Sequence, residues 1–365
     1  MKILIAGGGT GGHFFSGVAV GEAFLTRNED NQVVYVGTRN GIEARVGPKE
    51  GLDVRFVTVS GIKGKGIVSR LLALAKLPVA LFQSMALILK EGPQVVIGVG
   101  GYASGPVVLA GRLLGKKTAI VEQNSVAGAT NRILGKLVHR VFVAFAPATK
   151  DFPPGKAEVI GNPVRERFVQ LLTLESTATV GVGARMKVLV VGGSQGAHAV
   201  NVAMQEALAE LTDEQRERIF VVHQTGAADE AEVRKGYEAM GQRAKVTAFI
   251  DDMAEAYRSA DVVVCRAGAM TVSELMISRR GALLVPLPQA IYDHQTLNAK
   301  VLVDAGAGEL MPQGDDLAQR LRDALLRLEE DRRALQEMAG RAGELGKPAA
   351  AAEVVDVMYR LVGVP

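Results

Sequence analysis

Two glycine-rich turns are the first places in this chain where chemistry could occur. Residues 7–13 read GGGTGGH after an apolar run at 3–6, and residues 192–196 read GGSQG after an apolar run at 188–191. Glycine lets the backbone approach a phosphate closely, and the helix that follows offers unpaired N–H groups to an anion. The repetition predicts two nucleotide-binding α/β units. The simpler alternative at either turn is a strand–helix connection without a ligand.

Further glycine and polar residues follow other predicted strands. The motifs are GGYASGP at 100–106, EQN at 122–124, RAGAMTVSE at 266–274 and DHQTLN at 293–298. Ligands bind at the carboxyl ends of parallel strands, so these motifs are expected along the functional edges of the sheets. The Glu274 carboxylate could accept two hydrogen bonds from a ribose diol, and the polar side chains of 293–298 suit sugar hydroxyls. The simpler alternatives are a solvated charge at Glu274 and a helix N-cap at Asp293.

Strands and helices alternate along the chain, which predicts parallel sheets with right-handed crossovers. After the strand at 3–6, the predicted strands lie at 33–36, 54–59, 95–99, 118–121, 141–145, 158–160, 186–191, 219–222, 246–249, 262–265 and 282–285. Helical periodicity covers 329–345 and 349–361, with no strand after the last helix. A length of 365 residues fits about two domains.

Composition and missing motifs argue against a disulfide-bonded, a membrane-spanning and a metal-binding protein. The one cysteine, Cys265, lies in an apolar run, so no internal disulfide can form and a buried, unreactive thiol is expected. The N-terminal apolar run is too short for a signal peptide, and no long uncharged stretch predicts a membrane span. No metal is expected, because HExxH, paired cysteines and a DxD triplet after a strand are all missing. Asp251 and Asp252 indicate a helix start.

One long segment is both basic and very apolar. Residues 60–117 contain eight lysines and arginines and a single acid, Glu91, and residues 67–89 are almost continuously apolar. A basic, apolar helix can lie on an anionic membrane surface without crossing it, which the region 63–82 would do here. The alternative is a core helix with a solvated basic edge.

Seven motifs in order carry a resemblance to a known family. They are GGGTGGH at 7–13, GGYASGP at 100–106, EQN at 122–124, GNPVR at 161–165, GGSQGA at 192–197, RAGAMTVSE at 266–274 and HQTLNA at 294–299. Over essentially its whole length the chain resembles the MurG family of bacterial glycosyltransferases, in glycosyltransferase family 28. The resemblance implies the GT-B fold, an α/β fold of two Rossmann-like parallel-sheet domains facing each other across a cleft. The implied domains are an acceptor and membrane-facing domain at 1–163 plus 346–365, and a UDP-sugar donor domain at 164–345.

The resemblance also implies an activity. The family moves N-acetylglucosamine from UDP-N-acetylglucosamine to the C4 hydroxyl of the muramoyl sugar of lipid I, with inversion, and makes lipid II for peptidoglycan synthesis and cell division. The implied partners are this donor, the lipid I acceptor, an anionic membrane surface and other proteins of cell-wall synthesis and division. The implied location is the cytoplasmic face of the inner membrane, with peripheral attachment. No cofactor and no nucleic acid is expected.

The matching motifs imply binding residues in both domains. Arg165 and Ser194 would contact the donor diphosphate, the backbone of Ile250 the uracil, Glu274 the ribose and Gln295 the transferred sugar. Phosphate and ribose would also be held by the residues before Glu274, which are Ala269, Met270, Thr271, Val272 and Ser273. The donor sugar would be lined from the first domain by Thr10, Gly11, Gly12 and Asn124. The first glycine turn would receive the diphosphate of lipid I.

Transfer requires a base that takes the proton of the acceptor hydroxyl. His13 is the predicted base, because an ordinary histidine pKa near 6.5 suits neutral pH. Glu122 is the second candidate, and a structural role in the glycine turn is the alternative for His13. One residue departs from the family pattern: Ser16 stands where a proline is usual, three residues after the histidine. We expect an altered helix start there without loss of activity.

Three other functions compete with this one. Another GT-B enzyme, acting on a different lipid or as a UDP-sugar epimerase, would share the donor region but lack GGYASGP and EQN. An NAD-dependent oxidoreductase would need an acidic residue after the second strand, where the sequence has Gly37, Thr38 and Arg39. A regulatory protein would bind a UDP-sugar and never turn it over.

Overall fold

A computed structural model describes residues 1–59, 67–173, 185–193 and 196–363, without the side chains of 67–75, 171–173 and 291. The chain divides into two compact units. The first unit comprises Met1–Glu166 together with Lys347–Pro365, and the second comprises Arg167–Gly346. Each contains one parallel sheet, which confirms the predicted α/β class with two parallel-sheet domains.

The sheet of the first unit has seven parallel strands within the described residues, ordered β3-β2-β1-β4-β5-β6-β7. They are β1 (Lys2–Ala6), β2 (Gln32–Gly37), β3 (Val54–Phe56), β4 (Val95–Gly98), β5 (Lys117–Glu122), β6 (Arg140–Val143) and β7 (Ala157–Val159). Ile3 of β1 pairs with Val33 on one side and with Val95 of β4 on the other. The strand order therefore reverses between β1 and β4, and ligands bind beside such a reversal in doubly wound sheets.

The sheet of the second unit has six parallel strands among the described residues, ordered β10-β9-β8-β11-β12-β13. They are β8 (Met186–Val191), β9 (Ile219–Gln224), β10 (Ala244–Thr247), β11 (Val262–Cys265), β12 (Gly281–Leu284) and β13 (Gly308–Leu310). Val188 of β8 pairs with Val221 of β9 and with Val262 of β11. The strand order therefore reverses between β8, which precedes the second glycine turn, and β11, which precedes the RAGAMTVSE motif.

Helices pack against these sheets. They are α1 (Gly11–Arg27), α2 (Ile42–Val46), α3 (Ile67–Glu91), α4 (Ser104–Leu113), α5 (Ala129–Gly135), α6 (Glu166–Thr173), α7 (His198–Ala209), α8 (Asp213–Glu217), α9 (Glu230–Ala239), α10 (Met253–Ser259), α11 (Ala269–Ser278), α12 (His294–Asp304), α13 (Leu317–Glu330), α14 (Arg332–Leu345) and α15 (Ala350–Val362). Short 3-10 segments occupy Ala146–Asp151 and Ile291–Asp293. Within the described ranges, no helix has the length and apolarity needed to cross a membrane.

Helix α15 completes the core of the first unit. Tyr359 stacks on Phe24 of α1 with ring centroids 5.9 Å apart, and its hydroxyl donates to Asn31 Oδ1 at 3.0 Å. Val354 and Met358 are fully buried in the same cluster as the β1 residue Ile3. The last helix therefore packs on the first helix of the chain.

The observed elements depart most clearly from the sequence prediction at three places. Strand β3 ends at Phe56, before the predicted 59, and β13 was not predicted because its three residues, GEL, carry no apolar run. The predicted helix at 329–345 is interrupted at Asp331, whose side chain accepts the Ala334 N–H and so begins α14 anew.

Candidate active site

A buried carboxylate holds the first glycine turn. Glu43 of α2 is 2% exposed, and its Oε2 accepts a hydrogen bond from the Gly9 N–H at 2.8 Å. Its Oε1 accepts from the Thr38 N–H at 2.7 Å and from the Thr38 hydroxyl at 3.0 Å. This acid does not follow β2 directly, where an acid would be expected in a dinucleotide-binding unit, but reaches the end of β2 from the short helix α2, so it was not predicted from the sequence. The Gly9 N–H, which the glycine turn would otherwise offer to a phosphate, therefore donates to a carboxylate of the protein itself.

His13 lies in the first turn of α1, beside that glycine turn. Its Nδ1 is 2.9 Å from the Thr10 hydroxyl, and its ring lies so close to Gly100 that a Cβ there would overlap it. The neighbouring Gly101 has φ +80° and packs against the Gly8 backbone, where a side chain would find no space. The motifs GGGTGGH and GGYASGP therefore meet at the carboxyl ends of β1 and β4, and this contact fixes the His13 ring.

Glu122, at the end of β5, builds the loop that follows it. The side chain is 2% exposed, and its Oε1 accepts from the Asn124 N–H at 3.0 Å and from the Asn124 amide at 3.3 Å. Its Oε2 accepts from the Gly128 N–H at 3.0 Å and from the Asn131 amide at 2.9 Å. Both carboxylate oxygens are therefore engaged in holding the loop, and Asn124 is oriented by one of them.

Ser16 is fully buried in the second turn of α1. Its hydroxyl lies 3.5 Å from Nε2 of Gln123, which also donates to the Val99 carbonyl at 2.9 Å. Helix α1 begins at Gly11, ahead of this position. The serine therefore faces the EQN motif from inside the helix and does not set where the helix starts.

Arg165 lies in the first unit, although the predicted donor domain begins at residue 164. Its guanidinium carbon is 4.9 Å from the centre of the Phe15 ring, and its Nη1 is 3.6 Å from a Glu50 carboxylate oxygen. These contacts join it to α1 and to the turn after α2, and the division between the units falls after Glu166. A cation at this position can donate to a phosphate while it stacks on an aromatic ring.

The second glycine turn is tied to a neighbouring loop through one amide. Gln224, the last residue of β9, donates to the Gly193 carbonyl at 3.0 Å and accepts from the Ile250 N–H at 3.1 Å. The Ile250 backbone, predicted at the uracil, is thereby linked to the turn that precedes α7. Gln224 was not among the residues predicted from the sequence. Ser194, predicted at the donor diphosphate, lies outside the described residues.

Helix α11 starts directly after Gly268, which occupies its N-cap position. Within the predicted binding segment, Ala269, Val272 and Ser273 are buried, and the Ser273 hydroxyl donates to the Ala269 carbonyl at 2.9 Å. The partly exposed side chains of the segment are those of Met270, Thr271 and Glu274. The side chain of Glu274 is therefore accessible to a ligand. Val272 and Ser273 instead pack α11 against the core.

The carboxylate of Glu274 receives a hydrogen bond from the Tyr257 hydroxyl at 3.1 Å. Cys265, at the end of β11, is fully buried, and burial together with the Glu274 charge raises the pKa of its thiol to about 12. The predicted burial of the cysteine is confirmed. Among the residues that the structure describes, no three His, Cys, Asp or Glu side chains are placed to hold a metal ion.

The polar segment before α12 has an unusual backbone. Tyr292 and Asp293 both adopt left-handed conformations, with φ of 57° and 54°. Asp293 precedes the helix, and its carboxylate accepts from the Thr296 hydroxyl at 2.6 Å. Gln295 Oε1 accepts from the Leu287 N–H at 2.9 Å. Strained residues of this kind often lie at ligand-binding loops, and here they lead into the residue predicted at the transferred sugar.

Comparison with known proteins decides the family. The sequence matches the Glycosyltransferase family 28 N-terminal domain over residues 3–143 and the Glycosyltransferase family 28 C-terminal domain over residues 187–354. The chain belongs to glycosyltransferase family 28. The two matches cover the two glycine turns and most of both sheets.

Relatives within this glycosyltransferase family match the chain over nearly its full length. It is 47% identical to a protein of Myxococcus xanthus over 99% of this chain and 93% of that one. It is also 47% identical to a protein of Syntrophus aciditrophicus over 99% of both. Both relatives are named UDP-N-acetylglucosamine--N-acetylmuramyl-(pentapeptide) pyrophosphoryl-undecaprenol N-acetylglucosamine transferase.

Solved structures agree with the family 28 assignment. The crystal structure of Acinetobacter baumannii MurG aligns with a TM-score of 0.80 and 32% identity, covering 98% of this chain and 99% of that one. A UDP-N-acetylglucosamine 2-epimerase of Listeria monocytogenes aligns with a TM-score of 0.69 at 16% identity, covering 99% of this chain and 96% of that one, which indicates a shared fold. The chain is a glycosyltransferase with the GT-B fold.

Proposed function

We propose that this glycosyltransferase moves N-acetylglucosamine from UDP-N-acetylglucosamine to the C4 hydroxyl of the muramoyl sugar of lipid I, with inversion, and so forms lipid II. The observation that carries the proposal is 47% identity over 99% of the chain to proteins named for this transfer. The motifs GGYASGP and EQN, which a GT-B enzyme acting on a different lipid or as an epimerase would lack, follow β4 and β5 in the first unit.

The donor is assigned to the second unit. Because the Ile250 N–H is already taken by Gln224, the Ile250 carbonyl is the group that would accept from the uracil N3–H. Glu274 would accept from the ribose diol, and the first turn of α11 would face the diphosphate together with Ser194 and Arg165. Gln295 has its amide oxygen on the Leu287 N–H, so its NH2 group would donate to the transferred sugar.

The base is assigned to His13. We place its Nδ1–H on the Thr10 hydroxyl at 2.9 Å, and in this tautomer Nε2 is the nitrogen that would accept the proton of the attacking hydroxyl. Glu122 is assigned a positioning role instead, because four hydrogen bonds from the loop already engage its two oxygens. As UDP leaves, fixed donors such as the Arg165 guanidinium would stabilise the developing charge.

The acceptor diphosphate is assigned to the start of α1. Glu43 occupies the Gly9 N–H from within the protein, so the inner part of the glycine turn would not receive phosphate. Gly11 and Gly12 open α1 and follow the exposed Thr10, and the N–H groups of this first turn would serve the anion. This placement narrows the expected phosphate contacts from the whole turn, residues 7–13, to residues 10–12.

A membrane surface is assigned to one face of α3. Val79, Phe82 and Leu89 are 50%, 72% and 68% exposed, whereas Ala80 and Ile88 are fully buried on the opposite face. The three exposed side chains are three and seven residues apart, as expected of one helix face. Exposed Lys76 and Lys90 flank it, and Lys63 and Lys65 of the expected basic region lie outside the described residues. We propose that this stripe places the enzyme peripherally on an anionic cytoplasmic membrane surface.

UDP release tests the transferase. UDP-N-acetylglucosamine is incubated with the full chain, with and without a short-chain lipid I analogue, and UDP is measured. Acceptor-dependent release is expected, whereas donor binding without any release would contradict the proposal and make Ser16→Pro the next variant. Epimerisation of the donor without acceptor, followed by NMR, would instead indicate a UDP-sugar epimerase.

Vesicle binding tests the membrane surface. Phe82→Glu should weaken sedimentation with phosphatidylglycerol-containing vesicles by about tenfold or more, because a large apolar side chain is replaced by a charge. Val159→Glu is the matched control, since Val159 is 44% exposed on β7. Equal binding by both variants would contradict the assignment of α3.

A further inference from the structure

A buried tyrosine hydroxyl lies behind the carboxylate of Glu274. Tyr257 on α10 is 1% exposed, and its hydroxyl donates to Glu274 Oε2 at 3.1 Å. The tyrosine is itself fixed, because its backbone carbonyl accepts from Arg280 Nε at 2.7 Å. Phe168 packs edge-on against its ring with centroids 6.2 Å apart. The hydroxyl is therefore held in one place relative to α11.

This hydroxyl can act only as a donor toward Glu274. Burial and the charge of Glu274 raise the pKa of Tyr257 well above its usual value, so the hydroxyl stays protonated. A carboxylate accepts about four hydrogen bonds through its two oxygens, and one of these positions on Oε2 is taken by Tyr257. Rotation of the carboxylate would leave the tyrosine hydroxyl unpaired in the core, which is unfavourable.

We propose that Tyr257 is a positioning residue that sets the ribose selectivity of the donor site. By holding Oε2, it fixes the orientation in which the carboxylate meets the two hydroxyls of a ribose. A 2′-deoxyribose offers one hydroxyl fewer and would make one contact fewer with the oriented carboxylate. The inference rests on the proposed function, in which Glu274 binds the ribose.

The test compares the affinities of UDP and 2′-deoxy-UDP for the full chain by isothermal titration calorimetry. Tyr257→Phe keeps the ring and its contact with Phe168 but removes the hydroxyl. We expect the preference for UDP over 2′-deoxy-UDP to fall about three- to tenfold, since part of a charge-assisted contact is lost. An unchanged preference in a folded Tyr257→Phe protein would overturn the proposal.

Tyr237→Phe is the matched control. Tyr237 is also 1% exposed in the second unit, and its hydroxyl is 2.8 Å from His223 Nδ1. This variant loses a buried tyrosine hydroxyl of the same kind, and its preference for UDP should stay within about twofold of the wild type. A fall as large as that of Tyr257→Phe would indicate a general loosening of the unit and would overturn the positioning role.

Glu274→Gln separates the inference from the function on which it rests. If Glu274→Gln keeps the full preference for UDP, the ribose assignment fails, and the role of Tyr257 fails with it. If Glu274→Gln loses the preference and Tyr257→Phe keeps it, only the positioning role fails. The double variant should lose no more preference than Glu274→Gln alone, because both changes act through one contact.

A second variant covers the case in which Tyr257→Phe does not fold. Phe168→Leu removes the edge-on contact that orients the tyrosine ring and keeps the hydroxyl. It should lower the preference for UDP, by less than Tyr257→Phe is expected to. An unchanged preference in Phe168→Leu would then count against the positioning of Glu274 by this ring.

Discussion

The N–H of Gly9 lies 2.8 Å from the carboxylate of Glu43, so a charge from inside the first unit stabilises the first glycine turn. The same carboxylate receives the N–H and hydroxyl of Thr38 at the end of β2. One side chain thus joins the turns that follow two neighbouring strands. The conformation of the turn is therefore fixed without substrate. His13, which follows the turn in the first turn of α1, is positioned by it.

Removing the Glu43 charge should loosen the turn. In Glu43→Gln the new NH2 group must face a buried N–H, of either Gly9 or Thr38, and we expect a loss of about 1–3 kcal/mol in local stability. Hydrogen–deuterium exchange of residues 8–13 should become faster, and turnover should fall. Glu29→Gln, in an exposed turn of the same unit, removes an equal charge and should change neither. Equal exchange in the two variants would show that Glu43 does not hold the turn.

Substitution of His13 tests the base. His13→Gln should lower kcat by about 10²–10⁴-fold with donor affinity unchanged, because only proton removal is lost. Thr10→Val should give a smaller loss, since the ring keeps its nitrogen but loses the hydroxyl at 2.9 Å that orients it. Near-normal turnover in His13→Gln would make the assignment wrong and leave a structural role in the glycine turn.

Arg165 should matter through both its charge and its shape. Arg165→Ala should raise the KM for the donor and lower kcat, and Arg165→Lys should recover only part of this, because lysine cannot stack as a plane on Phe15. Glu50→Gln is the control: its ion pair with Arg165 is 3.6 Å long and partly solvated, so its loss should change KM less than twofold. Unchanged inhibition of Arg165→Ala by UDP would contradict the role at the diphosphate.

Acid should destabilise the second unit through His223. This side chain is fully buried between the Tyr237 hydroxyl and the Asn201 amide oxygen, and burial lowers its pKa to about 3. The unfolded chain takes up the proton near pH 6.5, so the contribution of neutral His223 is complete above that pH and is lost as pH falls toward 3.

Unfolding of wild type and His223→Gln at several pH values measures this effect. The stability advantage of the wild type should shrink by about 2 kcal/mol between pH 7 and pH 5. His198→Gln is the control, because His198 has an exposed side chain beside Asp229 and should leave the acid-dependent loss in place. A constant difference between wild type and His223→Gln across this range would contradict a neutral, buried His223.

Local sequence patterns were sufficient to predict much of the fold but less of the candidate site. The apolar runs of β8 and β11 predicted their strands to the residue, because strands buried on both faces are continuously apolar. Glu43 was missed because its short helix carries no pattern and its role arises only when β1 and β2 lie side by side. The same holds for Tyr257 and Gln224, whose partners are 17 and 26 residues away in sequence. Contacts between elements decide these roles, and spacing along the chain does not reveal them.

The return of α15 to the first unit has a consequence for biosynthesis. The core around Phe24 and Ile3 stays open until Val354, Met358 and Tyr359 have left the ribosome. The second unit, Arg167–Gly346, lies wholly before α15 in the sequence, so its synthesis ends before that of the first unit. The unit whose synthesis begins first therefore completes its core last, after the whole of the second unit has been made.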